Sequence, residues 1–381
     1  MKTSLDHLVQ AEFPQEANLI HLNHAGVAPW PARTAEAVAR FARENVALGP
    51  LHYDRWLETE HLLRRQAQSL LNAPSSADIA LVKNTSEALS FVAYGLDWQA
   101  GDNVVISNME FPSNRIVWES LAPLGVSVRE AHLAGSETPE DALFEQVDAH
   151  TRLISISSVQ FANGLRMDLA RIGAFCRAND ILFCVDAIQS LGALPCDVQA
   201  IQADFLAADG HKWLLGPEGL GLFYVRGDLC ERLRLTQYGW HMTEAPHDFD
   251  RRAWQPAASA RRFECGSPNM LGIHGLSASL SLLLECGLET IYRNIIKNTS
   301  YLIERLNNIP GINVVSEARE SRLSGIVAFA CDKKETASMV NYLREHGVIC
   351  AERSGFVRFS PHFYTSRRRL DHALNLVSEA L

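Results

Sequence analysis

Short runs of apolar and β-branched residues alternate with helical patterns through the first two thirds of the chain. Residues 103–107, 126–130, 153–159, 181–186, 205–208 and 221–225 each read as a buried strand. Strands alternating with helices predict an α/β fold: a mostly parallel sheet with helices on both faces. Upstream, Trp56, Leu57, Leu63, Ala67, Leu70 and Leu71 recur at helical spacing while Glu60, Arg64 and Gln68 take the opposite face, which predicts an amphipathic helix. Past about residue 270 the pattern changes. Two long helical stretches, 271–286 and 288–307, lead to a strand near 326–330, a helix near 335–346 and a strand near 356–360, a smaller α+β unit. The expected division is an N-terminal arm over 1–18, a large domain over 19–265 and a small C-terminal domain over 266–381.

Composition narrows the class. With 47% hydrophobic and 21% charged side chains in 381 residues, the chain can bury a large core, which excludes intrinsic disorder and a disulfide-stapled miniprotein. The net charge of −9, with no basic run longer than Arg367-Arg368-Arg369, argues against nucleic acid. Eight cysteines without a C-x-x-C pair read as reduced thiols. The first residues lack the apolar core of a signal peptide, and no apolar run approaches the roughly 20 residues of a membrane span, so the expectation is a cytoplasmic protein away from membranes. Fourteen histidines raise the question of a metal, and His21 lies near His24, but no ligand spacing such as H-E-x-x-H occurs and no metal is expected. The glycines at 216–221 lack the G-x-x-x-x-G-K-[ST] spacing of a nucleotide loop.

Candidate chemistry centres on Ala208-Asp209-Gly210-His211-Lys212-Trp213. A lysine just past a buried strand, beside a histidine and two glycine turns, sheds its proton more readily, and a neutral amine is what Schiff-base chemistry needs. Asp186 ends another apolar run, so it should stand at the carboxyl edge of the sheet, where α/β proteins bind ligands and a carboxylate could keep a pyridine nitrogen protonated. Gln189 follows it. Asn84-Thr85-Ser86-Glu87 opens a helical pattern and offers hydroxyls and free N–H groups to a phosphate. Phe111, after the strand at 103–107, could stack on a flat cofactor.

Together these segments resemble the class V aminotransferase family of fold-type I pyridoxal-phosphate enzymes, which includes cysteine desulfurases, kynureninases and isopenicillin N epimerase-like proteins. The resemblance runs from Leu22-Asn23-His24-Ala25-Gly26 to Arg358-Phe359-Ser360-Pro361-His362-Phe363-Tyr364. It implies that residues 19–265 bind pyridoxal 5'-phosphate and that Lys212 forms the internal aldimine. It implies that Asp186 pairs with the ring nitrogen, Gln189 contacts the ring oxygen, Phe111 stacks on the ring, and Thr85, Ser86 and His211 bind the phosphate. Ser267, in Phe263-Glu264-Cys265-Gly266-Ser267, matches a position that reaches the phosphate of a neighbouring subunit, which implies a homodimer with shared sites. Arg358 matches the arginine that pairs with an amino-acid carboxylate, and Arg353, Asn23 and His24 join it as expected substrate contacts.

The implied reaction starts when Lys212 removes the α-proton of an amino acid. Transamination is expected first, carbon–sulfur β-elimination of the cysteine or cystine lyase kind second, and epimerisation third. A desulfurase with a persulfide-forming cysteine is disfavoured, because Cys350 ends an apolar run shortly before Arg358 and reads as core. Asp209 departs from the phosphate-binding serine frequent in desulfurases, and a carboxylate there would repel phosphate unless it points elsewhere. Whether Gln160 or Asn163 faces the cofactor is left open by the sequence, and Trp30 and Trp240 hint at an apolar substrate pocket.

Overall fold

Thirteen strands and their connecting helices make up the computed structural model, which describes residues 5–133 and 138–381. The strands are β1 Ile20–His21, β2 Ile79–Val82, β3 Asn103–Ser107, β4 Ser127–Ala131, β5 Thr151–Ser157, β6 Leu182–Asp186, β7 Phe205–Asp209, β8 Gly221–Val225, β9 Ile312–Val314, β10 Val327–Cys331, β11 Val348–Ile349, β12 Ala351–Arg353 and β13 Phe356–Phe359. Seven form the central sheet in the order β2-β8-β7-β6-β5-β3-β4. Five of them, from β7 through β4, run parallel. β8 lies antiparallel to both β7 and β2. This is the mostly parallel α/β sheet expected, with a reversed strand near one edge.

The strands β2, β3, β7 and β8 are buried along their whole length because both faces are covered, whereas the edge strand β4, Ser-Val-Arg-Glu-Ala, is buried only at Ala131. One core cluster joins Val105, Ile154, Ile156, Val185 and Leu206 to the helices Tyr53–Leu71 and Met270–Cys286, and the other joins Val104, Ile106, Leu153 and Phe223 to the helix Thr85–Gly95. A third cluster belongs to the small domain, where the four-stranded antiparallel sheet β12-β13-β10-β9 packs with the helices Thr336–Glu345 and Arg367–Glu379.

Packing moves the expected domain boundary. The helix Met270–Cys286 lies on Ala32–Leu48 and Tyr53–Leu71 in the large domain, and the division falls within the next helix, Leu288–Asn307. Its Ile291 and Ile295 join the large core, whereas Leu302, Ile303 and Leu306 join the small one. The amino-terminal segment also crosses over. β1 pairs parallel with β11, and Asn23 bridges to Ser360, so residues 20–23 are a structural part of the small domain.

A second expectation fails on the helix Tyr53–Leu71. Glu60 and Arg64 do not face water: they are buried, with Arg64 bonded to Glu60 at 2.5 Å, to Glu264 at 2.6 and 2.8 Å and to the Ile79 carbonyl at 2.8 Å. Helical periodicity reports which face is polar, and here a distant glutamate turns that face inward. No single described helix is long and apolar enough to cross a membrane.

Candidate active site

The carboxyl ends of the parallel strands converge on one edge of the sheet, the usual ligand edge of such folds. β6 ends in Asp186, and β7 ends in Asp209 before Gly210 turns the chain into His211 and Lys212. That turn is tight. Leu215, fully buried, adopts φ 60, a left-handed conformation that a leucine holds only when its surroundings enforce it. The loop leaving β6 presses against it: a Cβ on Gly192 (φ 94) would lie 2.5 Å from the Trp213 carbonyl, so only glycine allows the two loops to approach this closely.

Asp186 is 1% exposed. One carboxylate oxygen accepts the Ile188 N–H at 3.0 Å, and the other has no protein partner. Burial pushes its carboxyl up to about 7, with the Ile188 N–H and the charge of Lys212 opposing and that of Glu110 adding to the rise. Lys212 is pushed down to about 8, first by burial and further by the charges of Arg358 and Arg353, while Asp186 and Asp209 act in the other direction. Its ammonium lies 5.6 Å from the centre of the Phe111 ring. Phe111 in turn meets Phe161 edge to face at 5.2 Å, which fixes the ring beside the lysine.

Gln189 is oriented unambiguously. The Trp213 indole N–H, which can only donate, gives its hydrogen to Gln189 Oε1 at 3.0 Å, so the amide nitrogen faces away and reaches the Ala25 carbonyl at 3.1 Å. One N–H of that nitrogen remains for a ring oxygen.

The helix Thr85–Gly95 starts at this edge. Asn84 caps it by accepting the Glu87 N–H at 2.9 Å, and the Glu87 carboxylate returns to the Lys83 N–H at 2.7 Å, a reciprocal box that leaves the hydroxyl of Thr85 uncommitted. Thr85 Oγ1 is buried without a partner. Ser86 donates to Ser113 at 2.9 Å. His211 Nδ1 and Asp209 Oδ1 stand 3.6 Å apart, and each lacks a hydrogen bond. The carboxylate of Asp209 therefore turns towards the imidazole.

Arg358, on β13, is 1% exposed and has no carboxylate partner among the described residues. Its Nη1 donates to the Phe161 carbonyl at 2.7 Å and its Nη2 to Asn23 Oδ1 at 3.2 Å, while Nε is unbonded. A buried cation met only by neutral acceptors is a place prepared for an anion. Arg353, half-buried at the end of β12, donates to the Glu352 carbonyl at 2.6 Å, and its charge reaches both Lys212 and Arg358.

His24 takes no part in this edge. Its Nδ1 bonds the Ser360 carbonyl at 2.8 Å and its Nε2 the Tyr364 hydroxyl at 2.6 Å, so neither ring nitrogen is free for substrate. It belongs to a buried cluster of His21, His362, Tyr364 and Trp213 behind the lysine. Between the two residues left open, Gln160 is the one that faces inward, fully buried with Nε2 3.1 Å from Glu110, whereas Asn163 borders a different cavity with Val314 and Ser316. Trp240 lines a surface cavity of about 430 Å³ with Tyr238, Phe249 and Trp254, which contains none of the site residues and does not include Trp30. Ser267 is exposed, in another cavity shared with Lys83, Glu87 and Gln237.

Glu110 and Trp213 went unmarked in the sequence. Trp213 could have been suspected from its place beside Lys212, but Glu110 gave no signal other than its neighbour Phe111.

These unpartnered buried atoms fit a flat heteroaromatic cofactor carrying a phosphate. Asp186 Oδ2 would meet a ring nitrogen and Thr85 Oγ1, at a helix start, an anionic oxygen.

A family model described as aminotransferase class-V matches residues 20–371. A probable cysteine desulfurase of Methanothermobacter thermautotrophicus is 30% identical over 385 residues, covering 95% of this chain and 94% of its own length. The cysteine desulfurase of Shigella flexneri is 30% identical over 357 residues, covering 89% and 86%. Among solved structures, the cystine C-S lyase C-DES in complex with its reaction product cysteine persulfide has a TM-score of 0.91 at 25% identity, covering 97% of this chain and 99% of its own. The cysteine desulfurase CsdA of Escherichia coli has a TM-score of 0.88 at 23% identity, covering 98% and 97%.

Proposed function

Because the chain belongs to the class V aminotransferase family, whose fold-type I members work with pyridoxal 5'-phosphate, we propose that it is a carbon–sulfur β-lyase acting on a sulfur-bearing α-amino acid. The observation that carries this reading is the hairpin before Arg358. β12 and β13 are joined by Ser354 and Gly355 alone, both at positive φ as in a tight two-residue turn, so no cysteine-bearing loop is presented there. The nearby Cys350 is 5% exposed, and burial pushes its thiol up to about 12. Relatives and neighbours act on sulfur amino acids, yet this chain offers no thiolate at that hairpin to receive the sulfur. The sulfur then leaves with a small molecule.

The residues divide the work accordingly. Asp186, Gln189, Phe111, Thr85, Ser86 and His211 would hold the cofactor, which supplies an electron sink for the α-carbon. Arg358, assisted by Asn23 and Arg353, takes the substrate carboxylate and so fixes which bond at Cα faces Lys212. The Lys212 amine removes the α-proton as general base. The electron pair moves toward Cβ, the Cβ–S bond breaks, and the sulfur departs as thiolate, which takes up a proton. Water completes the release of pyruvate and ammonium. An exposed Ser267 suits a contact with the phosphate held by a second copy of the chain, so the active unit is proposed to be a homodimer.

The test is a panel of amino acids with the cofactor-loaded protein and no keto-acid acceptor. Pyruvate formed together with sulfide, thiol or persulfide, undiminished in Cys350→Ser, is the expected result. Transamination, favoured by the description of the matching family model, is the second reading. It predicts keto-acid formation only when an acceptor is present, and that outcome would replace the lyase.

A further inference from the structure

A second buried carboxylate stands beside Asp186 and has no role in the reaction as described. Glu110 is 7% exposed and lies in the turn between β3 and Phe111. One of its oxygens accepts the Ser107 hydroxyl at 2.9 Å, the Ser157 N–H at 3.0 Å and Gln160 Nε2 at 3.1 Å. The other accepts the Ser157 hydroxyl at 2.5 Å, the same N–H at 3.2 Å and Asn114 Nδ2 at 2.9 Å. Asn114 has no freedom to turn round, because its oxygen already accepts the Trp118 indole N–H at 3.0 Å and the Ser155 hydroxyl at 2.6 Å. Ser107 accepts the Met109 N–H at 3.2 Å, so its own hydrogen is directed at Glu110.

This carboxylate is thus surrounded by donors, and no lysine or arginine pairs with it among the described residues. Neutral dipoles solvate the charge without cancelling it, so its field extends beyond the cluster. The sheet register says where that field goes: Ser157, which holds Glu110 by both N–H and hydroxyl, is the direct partner of Asp186 across β5 and β6. The other charged groups acting on Asp186 are Lys212 and Asp209 from the end of β7, and Lys212 also feels Arg358 and Arg353 from the small domain. His211 faces Asp209.

We infer that Glu110 is a positioning residue of the cofactor site, a fixed buried anion that acts through Asp186 to hold the proton on the ring nitrogen. It rests on the proposed use of pyridoxal phosphate. Glu110 also ties the turn that carries Phe111 to the end of β5, which explains why an uncompensated charge is kept at this place and not a neutral glutamine. A glutamine would meet the Asn114 and Ser157 donors with donors of its own on one side.

The test is the pH midpoint of the visible absorption band of the bound cofactor, in the loaded wild type, Glu110→Gln and Ser157→Ala. A negative charge nearby favours protonated forms, so its removal in Glu110→Gln moves the midpoint to lower pH, by roughly one pH unit for charges on the order of 10 Å apart. Ser157→Ala loosens the same cluster but keeps the charge, and its midpoint stays with the wild type. Equal midpoints in wild type and Glu110→Gln overturn the inference, as does an equal shift in both variants, which would mark a structural effect. Glu110→Asp, which keeps the charge, restores the wild-type midpoint; failure to do so also counts against the proposal. A wild type that takes up no pyridoxal phosphate would refute the functional reading itself, whatever the variants do.

Discussion

Replacing Arg358 by methionine separates a binding role from a structural one. Burial, reinforced by Arg353, pushes the guanidinium from the usual 12.5 down to about 9. Taking such a cation out of water costs several kcal/mol even after the surroundings relax, roughly 5 kcal/mol. Its two hydrogen bonds, to the Phe161 carbonyl and Asn23, return about 1.5 to 3 kcal/mol each, so the terms nearly cancel. Methionine keeps the length and apolar volume of the side chain. Arg358→Met should therefore change folding stability by less than about 2 kcal/mol, well short of the roughly 3 to 5 kcal/mol seen when a compensated buried pair is broken. Binding should respond differently. Loss of a charge-assisted contact to a carboxylate in a dry site costs about 2 to 5 kcal/mol, at least about thirtyfold in affinity. Urea unfolding of the cofactor-free protein, paired with amino-acid titration of the loaded one by its absorption spectrum, measures both. A stability loss above about 3 kcal/mol with unchanged amino-acid affinity would refute the reasoning and make Arg358 a structural residue.

Lys212→Ala should still take up pyridoxal phosphate through the remaining contacts, but borohydride should fix no cofactor to the chain and turnover should vanish; mass spectrometry after reduction checks this. Arg64→Ala strands two buried carboxylates, Glu60 and Glu264, and should cost about 3 to 5 kcal/mol by urea unfolding, whereas an exposed substitution such as Arg293→Ala should cost under about 1 kcal/mol. Acid should weaken the fold through the histidine cluster: burial holds His21 down to about 4, His362 down to about 3 and His24 well below its usual value. The unfolded chain protonates these rings near 6.5 and the folded chain resists, so their contribution is complete above that pH and is lost as the pH falls through the window from 6.5 towards 3. At pH 5 His21 and His362 each cost about 2 kcal/mol. A stability profile that is flat from pH 7.5 to 5, or that is unchanged in His362→Gln, would contradict this.

Much of the architecture was legible because local chemistry dictated it. The strands at 103–107 and 221–225 read directly from apolar runs bounded by turns, and Lys212, Asp186 and the helix start at Thr85 stood out because each sits where a buried strand gives way to polar residues. β2 escaped notice because four apolar residues after a turn are as consistent with a loop as with a strand.

The sequence by itself thus determined most strands of the large sheet, its mostly parallel character and the polar residues at its edge, since periodicity and strand ends are local properties of the chain. Tertiary structure alone decided which partners those residues have. His24 looked like a substrate contact until Ser360 and Tyr364, more than three hundred residues away in the chain, took both its nitrogens. Arg64 looked solvated until Glu264 met it inside. Glu110 carried no mark in the sequence, and only the fold closes Ser157 and Asn114 around it. The free energy of a buried polar group depends on what it faces across the fold, and no local pattern encodes that.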